Sequence, residues 1–145
     1  MIKYYDCLYF IGFSGYYNGD LFFEYLPIEF LPTNLKVGGS LNLINTQITE
    51  LPEGLEVGGK LDLEGTPITK LPKDIKVGGS LDLSCIPITK LPEGLEVGGY
   101  LYLWHTSITE LPKDIKVGGN VWISGTPMAE TDFIKPKGIK GQISS

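Results

Sequence analysis

Residues 51–70 read LPEGLEVGGKLDLEGTPITK, and residues 71–90 read LPKDIKVGGSLDLSCIPITK. Both open on Leu-Pro, carry Val-Gly-Gly in the middle and continue with Leu-Asp-Leu. The same frame begins again at Leu31, Leu91 and Leu111, giving five windows of the form LPxxLxVGGxLxLxxTxITx at a period of twenty residues. A fixed period of this size dictates the architecture before any single residue is weighed. A degenerate window precedes the five, with Gly19, Leu21, Phe23, Pro27 and Ile28 in register with Gly59, Leu61, Leu63, Pro67 and Ile68. A partial one follows, where Ile139, Gly141 and Ile143 echo Val117, Gly119 and Val121 after two extra residues.

Within a window the spacing of apolar residues separates a strand from a return. In Ser80-Leu81-Asp82-Leu83-Ser84 the alternation has period two, so Leu81 and Leu83 face one way and Asp82 the other, as in a half-buried strand. The Gly78-Gly79 pair before it predicts a corner, either because a side chain would clash there or because positive φ is needed. Leu71-Pro72 predicts an extended return, since proline fixes φ and gives up a ladder donor. Nothing in the window supports a helix of useful length. The expected fold is a mostly β solenoid, with parallel strands on one face and extended, non-helical returns on the other.

One window of twenty residues cannot bury enough apolar surface to offset the entropy of ordering it, so the windows must stack on one another. The stack then needs covered ends. Residues 1–145 read as one solenoid domain, with an irregular N-terminal cap over 1–18, repeats over 19–130 and a C-terminal cap with a partial repeat over 131–145. The aromatic crowd of Tyr4, Tyr5, Tyr9, Phe10, Phe13, Tyr16 and Tyr17 suits a lid over exposed core. Asp6 interrupts that apolar stretch and no cleavage site follows it, so it reads as a cap and not as a signal peptide.

Charge and cysteine content narrow the function classes. The formal net charge of −5 provides no field to attract a phosphate backbone, which disfavours nucleic acid as a partner. Cys7 and Cys85 are far apart and show no metal-ligand spacing, and no apolar run is long enough to span a bilayer. A reduced, cytoplasmic protein is the expectation. Charges also alternate from window to window, as Glu53, Lys73, Glu93 and Lys113 at one position and as Lys36, Glu56, Lys76, Glu96 and Lys116 at another. In a stack these become two ladders of opposite neighbours that hold the register, because a slip by one window sets like against like.

The run Leu61-x-Leu63-x-x-Thr66-x-Ile68-x-x-Leu71-Pro72 resembles the LxLxxNxLxxLP signature of leucine-rich repeats, with threonine where that family usually places asparagine. The twenty-residue length and the Leu-Pro step are most similar to the short bacterial class, found in secreted effectors and in small proteins of bacteria and their phages. Thr46, Thr66, Thr106 and Thr126 share the substituted position, with Ile86 the exception. The resemblance implies protein recognition through the strand face and the loops beside it.

Outward positions of that face vary while inward ones do not, as on a shared scaffold with a private surface. The central outward column reads Phe22, Asn42, Asp62, Asp82, Tyr102 and Trp122. Its flanks bring Tyr100 and Trp104 beside Tyr102, with His105 at the edge, so four aromatic residues are expected to form one patch. Residues of this type dominate interface energetics when exposed. The competing account is that Phe133 and Ile134 of the C-terminal tail fold back over them. Asp62, Glu64 and Asp82 form an acidic middle that would suit a basic partner or, far less readily, a cation, and that is expected to be solvated.

Catalysis has little support. His105 is the single histidine, and Cys85, one window away at the same position, has no orienting group or oxyanion hole with it. Gly54 to Lys60 fits G-x-x-x-x-G-K, but Leu61 follows where a phosphate loop needs serine or threonine. The expected function is therefore a non-catalytic protein-binding module, monomeric or weakly self-associating, that carries no cofactor and no metal. Carbohydrate or small-ligand binding by the aromatic and acidic face is one alternative, and a self-assembling structural role is another.

Overall fold

The computed structural model describes residues 15–145. Thirteen two-residue strands occur in chain order: Tyr16–Tyr17 (β1), Leu21–Phe22 (β2), Lys36–Val37 (β3), Leu41–Asn42 (β4), Glu56–Val57 (β5), Leu61–Asp62 (β6), Lys76–Val77 (β7), Leu81–Asp82 (β8), Glu96–Val97 (β9), Leu101–Tyr102 (β10), Lys116–Val117 (β11), Val121–Trp122 (β12) and Ile143–Ser144 (β13). One strand precedes each Gly-Gly corner and one follows it. All pairing is parallel and in the twenty-residue register, for example Leu61 with Leu81 and Asp62 with Asp82. The chain is thus a β-solenoid of about six turns.

The face that contains β2, β4, β6, β8, β10, β12 and β13 is the expected strand face. The return side differs in one respect, because β1, β3, β5, β7, β9 and β11 make a second parallel sheet there. Each of its strands after β1 presents one outward charge and one inward valine, and two residues are too few to produce a readable alternation. The segments that begin at each Leu-Pro step remain outside regular structure, as expected.

The core is a set of vertical columns. Leu41, Leu61, Leu81 and Leu101 form one, Leu43, Leu63, Leu83 and Leu103 another, and all are fully buried. Ile48, Ile68, Ile88 and Ile108 close the slab from the return side, also without exposure. At roughly 25 cal/mol per Å² of apolar surface removed from water, these columns are the main source of stability, and each needs a turn above and below it.

The Gly-Gly corners resolve in favour of close approach. None has positive φ, but a Cβ on Gly78 would lie 2.5 Å from the Gly58 carbonyl oxygen, and one on Gly79 would lie 2.6 Å from the Gly59 carbonyl carbon. Positive φ falls elsewhere, on the turn that ends each strand of the main face, at Tyr25, Asn45, Gly65, Cys85, His105 and Gly125. Just after that turn the buried Thr46, Thr66, Thr106 and Thr126 donate their hydroxyls to the carbonyls of Leu43, Leu63, Leu103 and Ile123 at 2.7–2.8 Å. Ile86 keeps the burial and omits the bond.

The charge ladder on the second sheet closes at three of its four steps: Lys36–Glu56 at 3.4 Å, Lys76–Glu56 at 3.1 Å and Lys116–Glu96 at 2.6 Å. The hydrogen bond from Lys76, and then the charges of Lys36 and Lys76, hold the Glu56 carboxyl below its ordinary pKa, while the bond to Glu96 raises that of Lys116. Along the other ladder, Glu53, Lys73, Glu93 and Lys113, no ion pair forms among the described residues. Glu93 instead lies beside the Asp114 carboxyl, whose proximity raises its pKa. The two kinds of turn differ by more than charge, because a Gly in αL at Gly54 or Gly94 faces an Asp, and its amide donates to Asp74 or Asp114 of the next turn at 3.1 and 2.9 Å.

At the N-terminal end, Tyr16 and Tyr17, read from sequence as part of an irregular cap, form β1 and pair with β3. The rest of that cap, including Tyr4, Tyr5, Tyr9, Phe10, Phe13 and Cys7, lies outside the described residues. At the C-terminal end the partial repeat docks in the expected register: Val117 bridges Ile139, and Val121 pairs with Ile143. The two extra residues are absorbed by a 3₁₀ turn, Pro127–Glu130, capped by the Thr126 side chain, and by the loop that follows.

Candidate functional site

Register alone puts the central outward residues in line. Asn42 pairs with Asp62, Asp62 with Asp82, Asp82 with Tyr102, and Tyr102 with Trp122. Within one turn, Tyr100, Tyr102 and Trp104 point outward at alternate positions of a single strand segment. The result is a chain of four rings in edge-to-face contact: Tyr100 to Tyr102 at 6.3 Å, Tyr102 to Trp104 at 5.5 Å and Trp104 to Trp122 at 6.3 Å between centroids. Aromatic pairs favour this arrangement, which aims a positive ring edge at a neighbouring negative face.

Tyr100 and Trp104 stay 48% and 40% exposed. Neither phenol hydroxyl nor either indole N–H of the four has a hydrogen-bond partner among the described residues. The tail does not cover them. Phe133 and Ile134 lie on the return side, where with Leu111, Met128 and Pro136 they line a separate groove of about 430 Å³. The tail meets the aromatic strip only through its last strand, β13, and Ser145 joins Trp104, His105, Trp122 and Ser124 around a shallow depression of about 320 Å³.

The acidic middle is not solvated as expected. Asp62 and Asp82 are buried, at 6% and 8% exposure. Each carboxylate accepts the amide two residues on, Glu64 N–H at 3.2 Å and Ser84 N–H at 3.1 Å, and so closes the turn that ends its strand. Asn42 does the same for Ile44 at 3.0 Å. Two like charges on adjacent rungs require compensation, and Lys60 supplies it: its ammonium lies 2.7 Å from Asp62 and 3.5 Å from Asp82. Burial works against the charge on Lys60, but the hydrogen bond to Asp62 and the two carboxylate charges outweigh it and raise its pKa above 10.5. Glu64 alone of the three is exposed, and oxygens of Asp62, Glu64 and Asp82 come within 4.8 Å of one another. The cation that Asp62 and Asp82 share in the structure is the Lys60 ammonium.

Lys60, weighed from sequence only as the end of a discounted G-x-x-x-x-G-K run, connects the two halves of the face, because its ammonium also lies 5.9 Å from the Tyr102 ring centroid. A signal for it existed. Ser40 and Ser80 at the same position accept the amide of the next turn, from Lys60 and Tyr100, at 3.1 and 3.0 Å, whereas a lysine cannot accept. Ser84, beside Asp82, carries a buried hydroxyl with no partner.

His105 occupies an αL position at φ 55°, and its Nδ1 stands where a Cβ on Gly125 would be, so the ring leans on the following turn. Cys85, at φ 59°, lies one turn in the other direction, exposed and unpaired. No hydrogen bond joins Cys85 and His105 among the described residues. The geometry therefore unites Tyr100, Tyr102, Trp104, Trp122 and His105 in one strip and Asp62, Glu64, Asp82 and Lys60 in an adjoining one. No helix of the described residues is long and apolar enough to cross a membrane. Comparison with protein families, curated proteins and solved structures finds no match to the chain.

Proposed function

We propose that the chain is a non-catalytic module that binds another protein through the outward face of its larger sheet, with the aromatic strip as anchor and the carboxylates as selector. The observation that carries this reading is the four-ring chain itself. It is partly exposed, held on rigid parallel rungs, and leaves its hydroxyl and indole donors unspent. Tyrosine and tryptophan fixed in this way offer large contact area at small entropic cost, which is why they dominate interface energetics. The resemblance to leucine-rich repeats of the short bacterial class points the same way, as does the division between invariant inward and variable outward positions. It also suggests a bacterial or phage protein that acts on a host or competitor protein. The exposed free thiol of Cys85 suits a reducing compartment such as the cytoplasm.

Carbohydrate binding is less well supported. Neighbouring rings are tilted by 63–65°, so no adjacent pair forms a flat platform for a sugar. The test is the double variant Tyr100→Ala/Trp104→Ala in an affinity capture from the expressing cell. Loss of the captured partner with thermal unfolding retained supports the reading. A variant that fails to fold identifies the strip as core and removes it.

A further inference from the structure

Given that protein-binding reading, the shape and chemistry of the strip specify the partner's local structure. At one end of the strip Trp104 and Trp122, tilted by 65°, border the shallow depression of about 320 Å³. Such a depression accepts a compact apolar ring or branched side chain edgewise. The polar tips of the four rings are hydrogen-bond donors, two phenol hydroxyls and two indole N–H groups, which call for a ligand that exposes free acceptors. Beyond the rings the column becomes acidic, with three carboxylates against the single ammonium of Lys60 and with Glu64 exposed.

A polyproline II segment has all three complements. Its proline rings are compact and rigid, and its carbonyls make no internal hydrogen bonds. It is also matched in pitch. Rungs of a sheet are spaced about 4.8 Å apart, so two rungs span about 9.6 Å. One turn of polyproline II, three residues at about 3.1 Å, spans about 9.3 Å. A segment laid along the stack therefore presents the same side of its helix to every second rung. From Trp122 to Asp62 is three rungs, roughly 14 Å, which such a segment crosses in about five residues.

We propose that this face binds a proline-rich segment in the polyproline II conformation, one proline seated in the depression that Trp104 and Trp122 border, with a basic residue about five positions away over Glu64. The chain contains two tryptophans, and both belong to the strip, so its entire indole emission reports on this site. The experiment titrates the whole protein with the synthetic peptides RPPPPPP and PPPPPPR, which cover both chain directions, while tryptophan emission is followed. At least one of them is expected to give a saturable shift. The analogue with alanine for every proline is expected to bind about tenfold or more weakly. Glu64→Gln is expected to reduce the advantage of the arginine-bearing peptide over its glutamine-ended counterpart.

Equal binding of the proline and alanine peptides overturns the proposal, as does a saturable response to cellohexaose or chitohexaose where the peptides give none. If no peptide binds while Tyr100→Ala/Trp104→Ala still abolishes capture of a cellular protein, the polyproline inference falls and the protein-binding reading stands. If the double variant also leaves capture intact, both fall.

Discussion

The carbonyl oxygen of Gly58 lies 2.5 Å from where a side chain on Gly78 would begin, directly above it in the stack. The approach is backbone on backbone, with no flexible group to move aside. Gly78→Ala is therefore expected to cost about 3 kcal/mol or more, as severe overpacking does. Gly94→Ala provides the contrast: its Cβ would meet nothing nearer than an Asp114 oxygen at 3.7 Å, and only its φ of 71° is unfavourable to alanine. A loss of about 1 kcal/mol is expected there. Denaturant unfolding of the two variants measures both.

Thr66 donates to the Leu63 carbonyl at 2.8 Å from a site that is almost wholly buried. Thr66→Val keeps the shape and removes the donor. A loss of about 1 kcal/mol is expected, seen as a lower denaturant midpoint with the slope unchanged.

How far these features were legible depends on whether a residue type marks them. The inward columns, the parallel register and the docking of Ile139 and Ile143 followed from period and spacing alone, since a leucine on every second residue carries its own orientation. The second sheet did not, because a pair such as Glu56–Val57 is too short to alternate. The αL turn was equally hidden, as it is occupied by Tyr25, Asn45, Gly65, Cys85, His105 and Gly125, with no shared chemistry to announce it. The aromatic chain was legible as a patch. The burial of Asp62 and Asp82 was not, because it rests on Lys60 reaching across from a position where other turns place Ser40 or Ser80.

Lys60→Met leaves Asp62 and Asp82 on adjacent rungs without their shared cation. In the native protein the raised pKa of Lys60 makes its contribution complete below pH 10.5 and lost as pH climbs through the folded value. In the variant the two carboxylates repel each other with no cation between them. A deficit of about 1 kcal/mol is expected at pH 7, after allowance for the solvent screening of a partly exposed ammonium, and thermal unfolding of the two proteins measures it.

Glu56 sits between Lys36 and Lys76, and the Lys76 hydrogen bond leads in lowering its pKa below 4.5. Its folded value is the lower one, so its stabilisation is present above pH 4.5 and lost as pH falls through the folded pKa. Glu56→Gln is expected to melt slightly below the native protein at pH 7, with the small effect typical of an exposed pair. The two melting curves should converge at pH 3.

Successive turns come in two kinds, one with Glu and Gly on the return side and one with Lys and Asp, and each kind bonds to the other. The natural unit of growth is thus a couplet of forty residues. Excision of residues 56–95 would bring Lys36 against Glu96 and leave the alternation whole. Excision of residues 56–75 would bring Lys36 against Lys76, so this molecule keeps its charges matched only when it lengthens or shortens by even numbers of turns.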